Sequence, residues 1–418
     1  MASPANPNNA PDRVRANPDH RSNIRLNKTK KTGDPPRANP RCGPRGTGRG
    51  STLGYSATLI LLLTVAVVAD DTWHTFRGNP QLSGVAPNPL PTDLDLLWTY
   101  VTEDAIESTA AIHQNTVYVP SLDTFLYALD LHSGILKWRY EATSEIRSSP
   151  TIAENTLYFG DEGGTFHALD IRSGQPRWTF TTNGGITSTA NYSHNRLYFG
   201  SYDQHLYCLD ASTGSEIWKI ATDGYIHSTP VLYEDLVAIA GCDGYLRLLS
   251  LEDGRQQRTI PMGTYVASSA AVLANRAYVG TFGNEVLAVD LSSGTVVWRY
   301  QHAVRKFPFY ASPAINEQAA IIGGRDKMVH ALDPDTGLPL WTYNAKARVD
   351  SSPVIAGNRV YFGAGALIAL NIATGTEVWR YESGASITAS PAIANGRLII
   401  GTTDGVIYSF GQEVKGNE

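Results

Sequence analysis

The sequence predicts an all-β fold, an eight-bladed β-propeller with four-stranded blades, and three observations carry that expectation. A tryptophan-bearing motif returns about every 40 residues, each return holds four short β-type runs bounded by turn residues, and the first and last returns are incomplete in complementary ways. Composition agrees: with 21 Tyr, 8 Trp and 38 Gly among 418 residues and only 17% charged, the chain lacks the bias of long helices and is rich in residues that suit pleated, half-buried strands.

In chain order, residues 1–50 carry 11 Lys/Arg against 3 Asp amid Pro, Asn and Gly, which predicts a disordered basic leader. Residues 51–69 contain an uncharged run of 13 residues from Ala57 to Ala69, short of the roughly 20 that a spanning helix needs. With small residues at Val67 and Ala69 the segment reads as a signal peptide, or else as a short uncleaved anchor with its basic end inside. Either way the remainder is expected to be exported, periplasmic or associated with the cell envelope. No Cys follows the run to take a lipid, so membrane association would come only through an uncleaved N-terminal segment.

Residues 70–94 form a lead segment, 95–410 the propeller and 411–418 a C-terminal tail. Removing residues 1–69 takes away 11 − 3 = +8 charges and leaves −5 − 8 = −13, a poor charge for a nucleic-acid ligand. Cys208 and Cys242 are the only cysteines after residue 69, and spacing leaves open whether they pair.

The repeat has the pattern Ala, x, Asp, two residues, Ser/Thr, Gly, three residues, Trp, as in ALDLHSGILKW at 128–138 and ALDPDTGLPLW at 331–341. Its tryptophans are Trp98, Trp138, Trp178, Trp218, Trp298, Trp341 and Trp379, with Arg258 where another is due. The Asp-x-x-Ser/Thr-Gly piece reads as a hairpin turn, the Asp accepting local backbone hydrogen bonds and the Gly supplying positive φ. A lone sheet of this size cannot bury its faces, whereas blades stacked round an axis can. The tryptophan is then a wedge between neighbouring blades, and Arg258 should weaken one such contact. Residues 388–410 hold three strands without a Trp strand, and LLWTY at 96–100 is a Trp strand without a blade, so the last blade is expected to be closed by the N-terminal Trp strand.

The Ala-x-Asp-x-x-Thr-Gly-x-x-x-Trp element resembles the repeat of PQQ-like, quinoprotein alcohol dehydrogenase-like propellers, including their non-enzymatic, BamB-like branch of outer-membrane assembly factors, and WHTFRGNPQLSG at 73–84 resembles their lead segment. The resemblance implies the fold, and a choice of function. The enzymes of this family hold PQQ with calcium at the channel mouth, often beside adjacent cysteines. This sequence has no Cys-Cys pair and lacks their inter-blade insertions, so no catalytic, cofactor or metal residue is carried over. Zinc spacings, a Gly-x-Ser-x-Gly elbow and a phosphate loop are missing too. Asp333 to Gly337 fits a turn better than a calcium loop, since its Gly comes one position early.

Where eight copies agree, a residue serves the scaffold; where they differ, it is a candidate for function. The position before the recurrent Ser/Thr pair reads Glu107, Arg147, Thr187, His227, Ala267, Tyr310, Asp350 and Thr388. In the geometry that the resemblance implies, these start the innermost strands near one mouth of the channel. The ring of Glu107, Arg147, Thr187, His227, Tyr310 and Asp350 is a candidate site for a ligand or a partner, set against the reading that a solvated mouth tolerates any polar residue. The insertion at Arg305, Lys306 and Phe307 has an interface-like composition and is a candidate partner surface. The expectation is a non-catalytic, exported propeller serving as a protein-binding or assembly scaffold in the cell envelope, with envelope proteins as partners and no cofactor. The alternatives are a PQQ-dependent oxidoreductase with calcium, or a propeller that binds a small ligand or glycan.

Overall fold

A computed structural model describes residues 71–412. The leader, the signal or anchor segment and most of the tail lie outside the described residues. Eight antiparallel four-stranded sheets follow one another, and no helix occurs among the described residues. The chain is an eight-bladed β-propeller.

Blade 1 shows the plan. Its strands are Ala111–His113, Thr116–Pro120, Phe125–Asp130 and Leu136–Glu141, and burial is heaviest on the second and third while the outermost alternates between exposed and half-buried. The middle strands meet neighbouring blades on both faces, so their apolar runs need not alternate. The last blade is built from both ends of the chain: Asp95–Val101 pairs antiparallel with Val406–Gly411, with Trp98 opposite Ser409. The ring is thereby closed by hydrogen bonds.

The seams between blades are nearly identical. Trp98, Trp138, Trp178, Trp218, Trp298 and Trp341 each lie over the turn glycine of the next blade, where a Cβ would come within 2.5 to 2.8 Å of the indole. Those glycines have φ of 69 to 73°, so the position excludes a side chain twice over. The indole N–H of Trp178 donates to Ala211 O at 3.1 Å, and Tyr158 donates its hydroxyl to the same carbonyl at 3.0 Å. The turn itself forms as its sequence dictates: Asp170 accepts from the backbone N–H of Arg172 and Ser173, and Asp333 from Asp335 and Thr336. Asp333 to Gly337 is thus one of these turns.

Two seams depart. Between blades 4 and 5, Arg258 reaches over Gly294 and donates to the Ser293 carbonyl, so a guanidinium occupies the place of the indole. Between blades 7 and 8 there is no turn to meet, because blade 8 takes its outer strand from the other end of the chain. Trp379 packs edge-on against Phe410 instead, with ring centroids 5.4 Å apart, and the buried Tyr361 hydroxyl has no partner among the described residues.

The innermost strands are shorter than expected. The first begins at Ala111 and leaves Glu107 in the preceding loop. The cause is a change of partner: Thr109 N–H donates to the Ser149 hydroxyl of the next blade, and Ser149, Thr229, Ser269, Ser312 and Ser352 repeat the bond. The recurrent Ser/Thr therefore links blade to blade round the axis, which explains why only a small hydroxyl appears there.

The lead segment circles the opposite end of the channel and bonds to every blade. His74 O accepts from Ile152 N–H, Pro80 O from Leu232, Gln81 O from Val272, Ser83 O from Ile315 and Gly84 O from Ile355. Trp73 pairs with Ile112, Asn191 reaches Pro80 O, and Asp71 accepts from Asn395. Arg77 is buried inside this loop and donates to Pro313 O at 2.9 Å; a Cβ on Gly84 would stand 1.8 Å from its guanidinium. Burial lowers the Arg77 pKa to about 9.

Candidate functional site

With the lead segment across one end, the channel becomes a cup of about 530 Å³ open at the other. All six of the polar ring positions expected at the mouth line it: Glu107, Arg147, Thr187, His227, Tyr310 and Asp350. They converge because each stands two residues before the Ser/Thr whose backbone N–H or hydroxyl joins one blade to the next. The half-buried Phe76 of the lead segment lines the cup as well, from its closed end.

The wall carries two ion-paired groups. On blades 1 and 2, Arg147 bonds Glu107, Glu145 at 3.1 Å and Glu162 at 3.3 Å. Burial opposes its charge, but the three carboxylates outweigh burial and hold its pKa above the ordinary value. Burial raises the Glu162 pKa in spite of Arg147. On blades 6 and 7, Arg325 meets Asp350 through a two-pronged contact of 2.9 and 3.2 Å and lies over the Tyr310 ring at 4.4 Å.

Between these groups His227 bonds Tyr310 through Nε2 at 2.9 Å, and through Nδ1 it bonds Tyr202 at 2.9 Å and Thr187 at 3.1 Å. Burial, aided by the positive charge of Arg147, pushes its pKa down to about 4. The imidazole is neutral at pH 7, and burial raises Tyr310 to about 12. This corner offers hydrogen bonds without charge.

Glu162, Tyr202 and Arg325 were not among the sequence candidates. All three occupy one repeat position, immediately before the turn residue, which is Asp203 after Tyr202, Asp326 after Arg325 and Gly163 after Glu162, so comparing copies at that position could have found them. At the same repeat position the N–H groups of Glu162, Cys242 and Phe282 donate to the carbonyls of Glu145, Tyr225 and Tyr265 in the loop before each blade. Phe76 has no counterpart in any repeat and only the fold brings it in.

The mouth is therefore divided. Blades 1 and 2 contribute acid groups, blades 3 to 5 contribute Tyr202, Tyr225, Tyr265 and Phe282, and the loop before blade 6 contributes Arg305, Lys306 and Phe307. Phe307 is 51% exposed, and Arg305 donates to Asp326 O at 2.7 Å. Cys208 and Cys242 are separate thiols, the first buried, with its pKa raised by burial to about 12.

These features define a class, an eight-bladed propeller with a plugged channel and an asymmetric polar mouth. The sequence matches the family described as "Outer membrane protein assembly factor BamB" over residues 91–193, 173–307 and 325–414, and the chain belongs to that family. No curated protein matches it in sequence. Among solved structures it is similar to BamB from Moraxella catarrhalis, with a TM-score of 0.65 and 19% identity over 77% of this chain and 100% of that one. It also resembles the computationally designed Ika8 protein, with a TM-score of 0.68 and 17% identity over 77% of this chain and 100% of that one. Quinohemoprotein alcohol dehydrogenase from Comamonas testosteroni gives a TM-score of 0.72 and 12% identity over 83% of this chain and 82% of that one. Identities this low speak to the fold alone.

The residues of the cup do not suit PQQ. That cofactor would bring several carboxylates to a wall where Glu107, Glu162 and Asp350 already outnumber Arg147 and Arg325, and both guanidinium groups are engaged. Among the described residues no cluster of three or more His, Cys, Asp or Glu is placed to hold a metal ion.

Proposed function

We propose that this protein is a non-catalytic scaffold of the cell envelope, exported, that binds other envelope proteins at the mouth of its propeller. The observation that supports this most is the exposed apolar crescent over the loops leading to blades 4, 5 and 6: Tyr225, Tyr265, Val304 and Phe307 are 52, 61, 83 and 51% exposed. Side chains of this kind, grouped beside Arg305 and Lys306, have the composition of a protein interface. Membership of the BamB family supports the same reading, since that name describes assembly of outer-membrane proteins. A rigid closed ring suits the task, because hydrogen bonds through every blade hold the mouth loops still before a partner arrives.

The test is photo-crosslinking in intact cells, with a crosslinking residue placed at Tyr265 or Phe307 and, as a control on an outer turn of blade 3, at Ser212. Discrete adducts with envelope proteins are expected from the first two positions only, and they should disappear in the Arg305→Ala, Lys306→Ala double variant. Equal labelling from Ser212, or none from Tyr265 and Phe307, would sink the proposal.

A further inference from the structure

The two sides of the cup differ in electrical balance. On blades 6 and 7 one guanidinium, Arg325, faces one carboxylate, Asp350. On blades 1 and 2 three carboxylates share the single guanidinium of Arg147, a local charge of −3 + 1 = −2; Glu107 and Glu162 line the cup and Glu145 stands outside it. Glu162 is half-buried, and a half-buried carboxylate that shares its one cation with two others carries a desolvation cost that a cationic ligand would relieve. Burial raises the Glu162 pKa, and the neighbouring Glu145 and Glu107 add to it.

A second observation lies beside the first. Thr109, 2% exposed and on the same blade as Glu107, lines the cup, and its buried hydroxyl has no partner among the described residues; the same holds for Thr388 on adjoining blade 8. Neither oxygen is spent on a bond to another described residue. The neutral His227 adds no opposing charge.

We propose that the cup receives the ammonium or guanidinium group of a Lys or Arg side chain, carried on a loop of the partner protein. A free small cation would answer the acid wall equally well, but it would leave Tyr225, Tyr265, Val304 and Phe307 bare around the mouth. A loop with apolar residues flanking its basic residue covers the crescent and fills the cup at once. The inference rests on the scaffold reading and adds the chemistry of the partner to it.

The experiment uses the purified full chain and four fluorescent cyclic peptides, Leu-Gly-Xaa-Gly-Tyr, with Lys, Arg, Gln or Glu at the centre. The Lys or Arg peptide should bind about tenfold or more tightly than the Gln peptide, and raising the salt concentration should shrink that advantage. The Glu107→Gln, Glu162→Gln double variant should abolish the preference with the melting temperature unchanged. Should that variant fail to fold, Glu145→Gln, at an exposed position, should weaken the Lys peptide about threefold. Equal binding of the Lys, Arg and Gln peptides, tighter binding of the Glu peptide, or binding of none overturns the inference. So does competition by lysine amide at the same concentration as the peptide, which would assign the cup to a free cation. Crosslinks from Tyr265 that persist without any Lys or Arg preference would defeat this inference and leave the scaffold reading intact.

Discussion

Between blades 2 and 3, Trp178 lies on Gly214 and Tyr158 donates to Ala211; between blades 1 and 2, Trp138, Gly174, Tyr118 and Ile171 repeat the arrangement. At the mouth the same copies place Glu107, Arg147 and Thr187 in succession. Each seam joins a blade to a neighbour of the same shape, so one solution serves every seam. The mouth gathers eight side chains round one shared space, where eight copies of a charge would repel one another and eight copies of an apolar group would bind nothing directional. Repetition is kept where the problem repeats and lost where the problem is single.

Trp178→Ala should break the seam side of the comparison hardest. It removes the indole from Gly214 and the bond to Ala211, for a loss of about 3 kcal/mol in urea unfolding. Preference for the Lys peptide should survive in the folded fraction, and its disappearance would show that seam and mouth are coupled.

The next effect belongs to the mouth and depends on pH. His227 titrates at about 4 in the folded chain against 6.5 when unperturbed, so between those values the unfolded chain binds more protons. Its contribution is full above about pH 6.5 and is lost as the pH falls toward about 4, on the order of 3 kcal/mol across the window. Urea midpoints at pH 7 and pH 4.5 should therefore converge less in wild type than in His227→Gln. An equal pH dependence in the two proteins would mean that the ring is not buried as described.

Smaller still is the contrast between two tyrosines at one repeat position. Tyr158→Phe should cost about 1 kcal/mol because it deletes the bond to Ala211, whereas Tyr361→Phe should change stability by less than about 0.5 kcal/mol because its hydroxyl has no partner. Equal losses would point to an acceptor for Tyr361 at the closure seam. Arg258→Trp should restore the common seam over Gly294 and raise the melting midpoint, with a gain of about 0.5 to 1 kcal/mol. A loss there would show that the guanidinium is better fitted to this seam than an indole.

The repeat made the propeller legible, because identical spacing of Asp, Gly and Trp leaves one way to build a unit and stack it. Comparing copies also brought out the ring of Glu107, Arg147, His227, Tyr310 and Asp350, which does line one cavity. The start of the inner strands was misplaced, since the backbone there bonds to a hydroxyl on another blade, a partner 40 residues away that no local pattern reveals. Glu162 and Arg325 were missed although their repeat position was available for comparison.

Sequence alone determined the number of blades, the four strands in each and the closure by Trp98 against the last blade, since all three follow from local chemistry repeated at a fixed interval. Tertiary structure alone decided that the lead segment plugs the channel, that Phe76 lines the cup from below and that three carboxylates meet at Arg147. Those contacts join residues from separate blades or from outside the repeat, and only closing the ring sets their distances.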